Sequence, residues 1–321
     1  MTAAVRLRTS EAWRSLQVRA AGALDVFPLS LASALVAAAR RRRELARGTP
    51  PLWLAKVMEL DALPCRLMMS LDRIGVDLEG RRFDVGLQLP ANVPCPVLDD
   101  VFSVLVASPF VRSIGFYWSD ASADEDLRLM RGARGVEGGP AVTHERLTPT
   151  TADDRSRFLV RRHTTIALPA PAEREARTLL KRLAGGRYTI CLNLDAADGS
   201  LVNSVAPAFP DARFFALRRG SSGPAPEGAS IVAVGEFGFS LHERLAFVQA
   251  ADAYVGVFDE HACAAVAAER PCVLLGGVDD ERAGLPVPSD GRGVVWLSRP
   301  YDVRTATPLV ASFLRRFAPR P

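Results

Sequence analysis

Between Ile231 and Gly277 the chain alternates short apolar runs with stretches of helical spacing. Residues 231–234 are apolar and end at Gly235. Ser240 then precedes Leu241, Leu245 and Val248, which recur at the spacing that lines one face of a helix. A serine there can cap the helix by accepting from its first free amides. Residues 253–257 are a second apolar run. Asp259 and Glu260 open an alanine-rich helix, Pro271 stops it because proline lacks an amide proton, and residues 272–275 form a third run closed by Gly276-Gly277. Strand, helix, strand, helix, strand with short connections predicts a parallel sheet, because parallel neighbours need a crossover and one hand is strongly preferred.

The same alternation extends to both sides. Residues 16–18 read as a strand and 28–43 as a helix; 51–54 and 82–89 read as strands, 99–108 as a helix and 111–116 as a strand. Residues 117–157, polar and rich in glycine, read as loop. Leu168-Pro169-Ala170-Pro171 is the expected linker, since alternating prolines hold the chain extended. Beyond it come a helix at 172–183, a strand at 188–194, a helix near 202–208 and a strand at 213–217, and with 294–297 this half has six parallel strands. Thr307-Pro308 reads as the cap and first turn of a last helix running through Phe317. The expected fold class is α/β, with two Rossmann-like domains at 1–167 and 168–321 whose parallel sheets face a central cleft.

Composition narrows the partners. The chain has 321 residues, 48% hydrophobic and 24% charged, which suits a soluble globular protein with two cores. A net charge of +4 does not suggest a nucleic-acid binder, although nearly all the positive charge is arginine and Lys56 and Lys181 are the lysines. Five cysteines sit in or beside apolar runs without a Cys-x-x-Cys pair, the pattern of reduced, buried thiols in a cytoplasmic protein. The N-terminus lacks the basic-then-apolar order of a signal peptide. The apolar-leaning stretch 26–39 contains Pro28, Ser30 and Ser33 and falls short of the roughly 20 residues needed to span a bilayer. His163 and His242-Glu243 lack zinc spacing, so neither a metal site nor a cofactor is assigned.

Gly235, Ser240-Leu241, Ala251-Asp252-Ala253, Gly256, Ala264-Ala265, Ala267 and Pro271 stand in the order and spacing of one known pattern. In it a strand ends in Gly, a Ser/Thr-Leu helix and a strand follow, and then an Asn-Asp-Ser/Thr-Gly-Pro-Met-His loop, an Ala-rich helix and Gly-x-Pro. Over this stretch the chain resembles the ADP-heptose:lipopolysaccharide heptosyltransferase family, two-domain glycosyltransferases of GT-B type. Arg82 to Leu89 and Val111 to Phe116 also resemble its Phe-Asp-x-x-x-Asp-Leu and Arg-x-Ile-Gly-Phe/Tyr strands, with Gln88 at or near an acid or amide position. The resemblance implies a GT-B-like fold and a role in lipopolysaccharide biosynthesis. It implies transfer of a sugar from an ADP- or UDP-linked nucleotide sugar to a cell-envelope glycan or protein acceptor, in the cytoplasm or peripheral to the inner membrane. Arg40–Arg43 could touch an anionic membrane there, or form the solvated end of a helix.

The loop departs from the family. Val257-Phe258-Asp259-Glu260-His261 replaces Asn-Asp-Ser/Thr-Gly-Pro, and Asp195-Ala196-Ala197-Asp198 supplies no lysine after the 188–194 strand. By position Asp25, in the loop after a first strand, matches the family's catalytic base; the residues alone allow it equally to cap the following helix. Gly256, Asp259, Glu260 and His261 stand where the family receives the diphosphate. Asp259 and Glu260 would repel one unless arginines, a protonation change or a divalent metal offset them, and residue type favours the account in which both acids simply cap and charge-complement an ordinary helix. Arg218 and Arg219 are expected diphosphate partners or a solvated pair. Two readings follow: a glycosyltransferase, or a catalytically silent GT-B-like binding or assembly subunit. Blockage by Phe258, or by ion pairs from Asp259 or Glu260, separates them in favour of the second.

Overall fold

The computed structural model describes residues 25–28, 51–60, 62–90, 93–118, 142–147, 166–168, 170–194, 198–217, 231–276, 293–297 and 301–318. The strand expected at 16–18, the helix expected at 28–43, Arg40–Arg43, Arg218 and Arg219 lie outside them, apart from Pro28. The chain divides into two compact units, Met1–Thr150 and Thr151–Pro321.

In the first unit the elements run β1 (Asp25–Pro28), β2 (Leu52–Val57), α1 (Leu63–Asp77), β3 (Phe83–Leu89), α2 (Cys95–Ala107), β4 (Val111–Trp118) and β5 (Val142–Leu147). The sheet order is β1-β4-β3-β2-β5 and every pairing is parallel. β3 is buried throughout, as a central parallel strand covered on both faces should be. Its Phe83, Val85, Leu87 and Leu89 share one face by the two-residue repeat of a strand, and Trp53 of β2, Leu63, Leu67 and Leu71 of α1 and Leu105 of α2 are core residues with them. Gly75 lets α1 approach the turn before β4, because a Cβ there would collide with the Phe110 ring. At this same amino end of β3, Asp84 is buried and held by a two-pronged bond from Arg112 at 2.9 and 3.0 Å and by the Ser113 hydroxyl at 2.5 Å.

Three features differ from expectation. α1 was not anticipated, although Leu63, Leu67, Leu71 and Ile74 carry helical spacing. β5 lies inside the stretch read as loop. It is fixed by Glu145, which accepts from Trp53 Nε1 at 3.1 Å, Ser70 Oγ at 3.3 Å and Arg73 at 2.5 Å; those partners are distant in sequence, so no local pattern announces the strand. Asp25 is the first residue of β1, level with Ser113 of β4, and so stands in a strand and not in a loop.

The second unit runs α3 (Ala170–Ala184), β6 (Tyr188–Asn193), α4 (Gly199–Val205), a 3₁₀ turn (Ala206–Ala208), β7 (Ala212–Ala216), β8 (Ile231–Ala233), a 3₁₀ turn (Val234–Phe237), α5 (Leu241–Ala250), β9 (Ala253–Val257), α6 (Glu260–Ala267), β10 (Cys272–Leu275), β11 (Val294–Leu297) and α7 (Val303–Arg315). Its six strands are parallel in the order β11-β10-β9-β6-β7-β8. Ser240 caps α5 in a reciprocal box with Glu243, whose carboxylate accepts from the Ser240 amide at 2.7 Å. Pro171 lies in the first turn of α3, where a missing amide proton costs nothing, so the expected linker is helical from Ala170. α7 begins earlier than expected: Asp302 caps it, Thr307 turns its hydroxyl back to Val303 O at 2.7 Å, and Pro308 is inside it. Ala306, Val310, Ala311, Phe313 and Leu314 of α7 join Ile190, Leu192, Phe214, Val255 and Val273 of the sheet in one core. Cys65, Cys191, Cys263 and Cys272 are buried thiols outside any disulfide, whereas Cys95 is exposed. Among the described residues no helix is long and apolar enough to cross a membrane.

Candidate functional site at the head of helix α6

The sheet of the second unit grows in two directions from its middle. β6, β7 and β8 build one wing, and β9, β10 and β11 build the other from the opposite edge of β6. In an open α/β sheet, the crevice outside the carboxyl ends at such a reversal is the favoured place for a ligand. Asn193 ends β6 there, level with Gly256 of β9. Only glycine fits at 256, since a Cβ would run into the Asn193 carbonyl and the Tyr254 hydroxyl.

One residue beyond Phe258 the chain turns into α6, and Asp259 caps it. Its two carboxylate oxygens face different partners. Oδ1 accepts from the amides of His261 at 3.0 Å and Ala262 at 3.2 Å and from the Tyr254 hydroxyl at 3.2 Å; that hydroxyl also reaches Val257 O at 3.0 Å. Oδ2 meets Asn193 Nδ2 and, at 3.0 Å, His261 Nδ1. His261 Nδ1 also lies 3.6 Å from Glu260 Oε1. On the other edge of the imidazole, Nε2 accepts from Arg244 Nε at 3.4 Å, and Arg244 Nη1 donates to Phe239 O at 2.9 Å. An arginine cannot accept, so its place at Nε2 leaves the ring proton of a neutral His261 on Nδ1, facing Asp259. Next to the cap the Phe258 and Trp296 rings stack at 5.7 Å.

Charge follows from this geometry. Burial alone would raise the Asp259 carboxyl, but the facing His261, its hydrogen bond and the Ala262 amide together hold it below the ordinary carboxylate value. Burial alone would lower His261, and the charge of Asp259, its hydrogen bond and then Glu260 outweigh that and raise it. Burial, with Asp259 close by, pushes the Tyr254 hydroxyl well above its usual range, so it stays a donor.

Of the residues expected to form a site, Gly256, Asp259, Glu260 and His261 come together. Asp25 is the first residue of β1, in the first unit. Asn193, Tyr254 and Arg244 were not singled out by the sequence. Asn193 was the most legible of them, being a polar residue at the tip of the apolar strand 188–193 and fully buried. Farther along the same sheet end, buried Asp198 accepts from the Tyr301 hydroxyl at 2.6 Å. Asp259, Glu260 and His261 each offer one ligand atom within 4.8 Å of the others, a spacing that could hold a metal ion.

No family model matches the chain, and no curated protein matches it. Among solved structures, a glycosyl transferase family 9 protein from Veillonella parvula is similar at 9% identity and a TM-score of 0.49, covering 84% of this chain and 90% of its own. The heptosyltransferase WaaC of E. coli, solved with ADP, is similar at 12% identity and a TM-score of 0.41, covering 82% and 99%. On its own strand orders the chain is an α/β protein with one Rossmann-like parallel sheet in each of its two units.

Proposed function

We propose that this GT-B-like protein serves as a binding or assembly subunit and does not take a donor diphosphate at the head of α6. The observation that carries this reading is the Asp259 carboxylate, which already fills the anion position of that helix. Free amides at a helix N-terminus attract phosphate because their protons and the helix dipole point outward. Here two of those amides and the Tyr254 hydroxyl are committed to Asp259 Oδ1. A phosphate entering would have to displace this carboxylate and then face Glu260 as well. Calorimetry with ADP, UDP and GDP and their sugars, each with and without divalent cation, tests the reading. No heat of binding at millimolar concentration is expected, and tight binding accompanied by sugar transfer would overturn it.

A glycosyltransferase is the second reading, favoured by the crevice at the β6/β9 reversal, the usual ligand position of such a sheet. In it a nucleotide sugar, ADP- or UDP-linked, donates to a cell-envelope glycan or protein acceptor. Arg218 and Arg219 replace the α6 amides as diphosphate partners, and Arg40–Arg43 provide peripheral contact with an anionic membrane. Asp25 then acts as base only if an Asp25→Ala variant loses transfer while still binding the donor.

A further inference from the structure

We propose that Asn193, Asp259, Glu260 and His261 form a site for a divalent first-row transition metal, of the zinc, cobalt or manganese kind. The first support is spacing. Ligands held at about 2.0–2.2 Å from such an ion lie roughly 3 to 3.6 Å from one another. His261 Nδ1 is 3.0 Å from Asp259 Oδ2 and 3.6 Å from Glu260 Oε1, and the Asn193 carboxamide is 3.5 Å from the same nitrogen. The second is Asn193 itself. It is fully buried, its carboxamide reaches both Asp259 Oδ2 and His261 Nδ1, and its Oδ1 has no hydrogen-bond partner among the described residues. A buried amide oxygen without a donor is costly. Turning the carboxamide over brings Oδ1 to the cluster, where a cation satisfies it in exchange for the hydrogen bond from Nδ2 to Asp259.

The division of labour in Asp259 allows this without losing the helix cap. Oδ1 keeps the amides of His261 and Ala262 and the Tyr254 hydroxyl, and Oδ2, which holds none of these, is the oxygen that binds the ion. One imidazole, two carboxylates and an amide oxygen make a mixed nitrogen and oxygen set suited to these metals. The ion binds at Nδ1, so the proton of a neutral His261 moves to Nε2, and a protonated His261 releases one. That places an N–H against the Arg244 guanidinium, which must swing away while keeping Phe239 O. Arg244 therefore opposes the metal, and this gives the proposal a second, opposite test.

The test uses the full chain, dialysed against EDTA and titrated with cobalt chloride at neutral pH, with visible absorption and metal analysis as readouts and zinc as competitor. One cobalt per chain with ligand-field bands, displaced by zinc, is expected. Glu260→Gln and His261→Gln should each weaken binding by about tenfold or more, and Arg244→Gln should tighten it, with circular dichroism confirming that each variant is folded. Absence of stoichiometric uptake by the wild-type chain, or equal uptake by Glu260→Gln and His261→Gln, would overturn the proposal. Cobalt uptake is read without any nucleotide, so its outcome is independent of the function proposed above.

Discussion

Asp259 shows how one residue type can redirect a helix end. A Ser or Thr at a cap leaves the amides partly open to an outside anion, whereas an aspartate brings its own charge and saturates them. Losing this cap costs about 0.5–2 kcal/mol in typical helices, and Asp259→Ala would also strip Tyr254, Asn193 and His261 of a partner. It should therefore sit at or above the top of that range in urea unfolding; a loss below about 0.5 kcal/mol would show that the cap is not what holds the head of α6. The ion pair sets a pH window. His261 is raised above its ordinary 6.5, so its contribution is complete below that value and fades as pH rises through the folded value. Asp259 is lowered below 3.8, so its contribution is complete above that value and is lost as pH falls through the folded one. The pair is thus at full strength between 3.8 and 6.5. The urea midpoint of wild type minus that of His261→Gln should be largest near pH 5.5 and shrink by pH 8.5, and a constant difference would rule the pairing out.

At the scale of elements, what could be read in advance was local and what could not was distant. β9 and β10 have the limits their apolar runs suggested, and the Ser240 cap is in place, because run length, a capping hydroxyl and a terminating proline all lie within a few residues of the element they define. Ser240→Ala should cost about 1 kcal/mol by loss of the capping box, measurable as a lowered thermal midpoint. β5 and the start of α7 escaped for the opposite reason. Glu145 answers to Trp53, Ser70 and Arg73, and Pro308 is tolerated within a helix whose other face is buried in a core drawn from the whole second unit. The candidate site was half legible: the 256–261 loop was marked by its acids, but nothing near Asn193 or Arg244 in sequence shows that they meet it.

For the molecule as a whole, the second unit places its first strand in the middle of the sheet and its last helix against the same core. Tyr188 and Ile190 of β6 share that core with Val310, Phe313 and Leu314 of α7, across more than a hundred intervening residues. A chain stopped after residue 300 should keep its β6-β7-β8 wing yet bind a hydrophobic dye and fall quickly to protease, and native-like resistance would show that α7 is dispensable. In a cell the ribosome delivers β6 well before α7. Until the final turn of α7 emerges, Val202, Val205 and Phe209 have no lid, and a nascent-chain chaperone would find its grip there. Speed of translation across the last helix therefore bears on yield as directly as any mutation in the core.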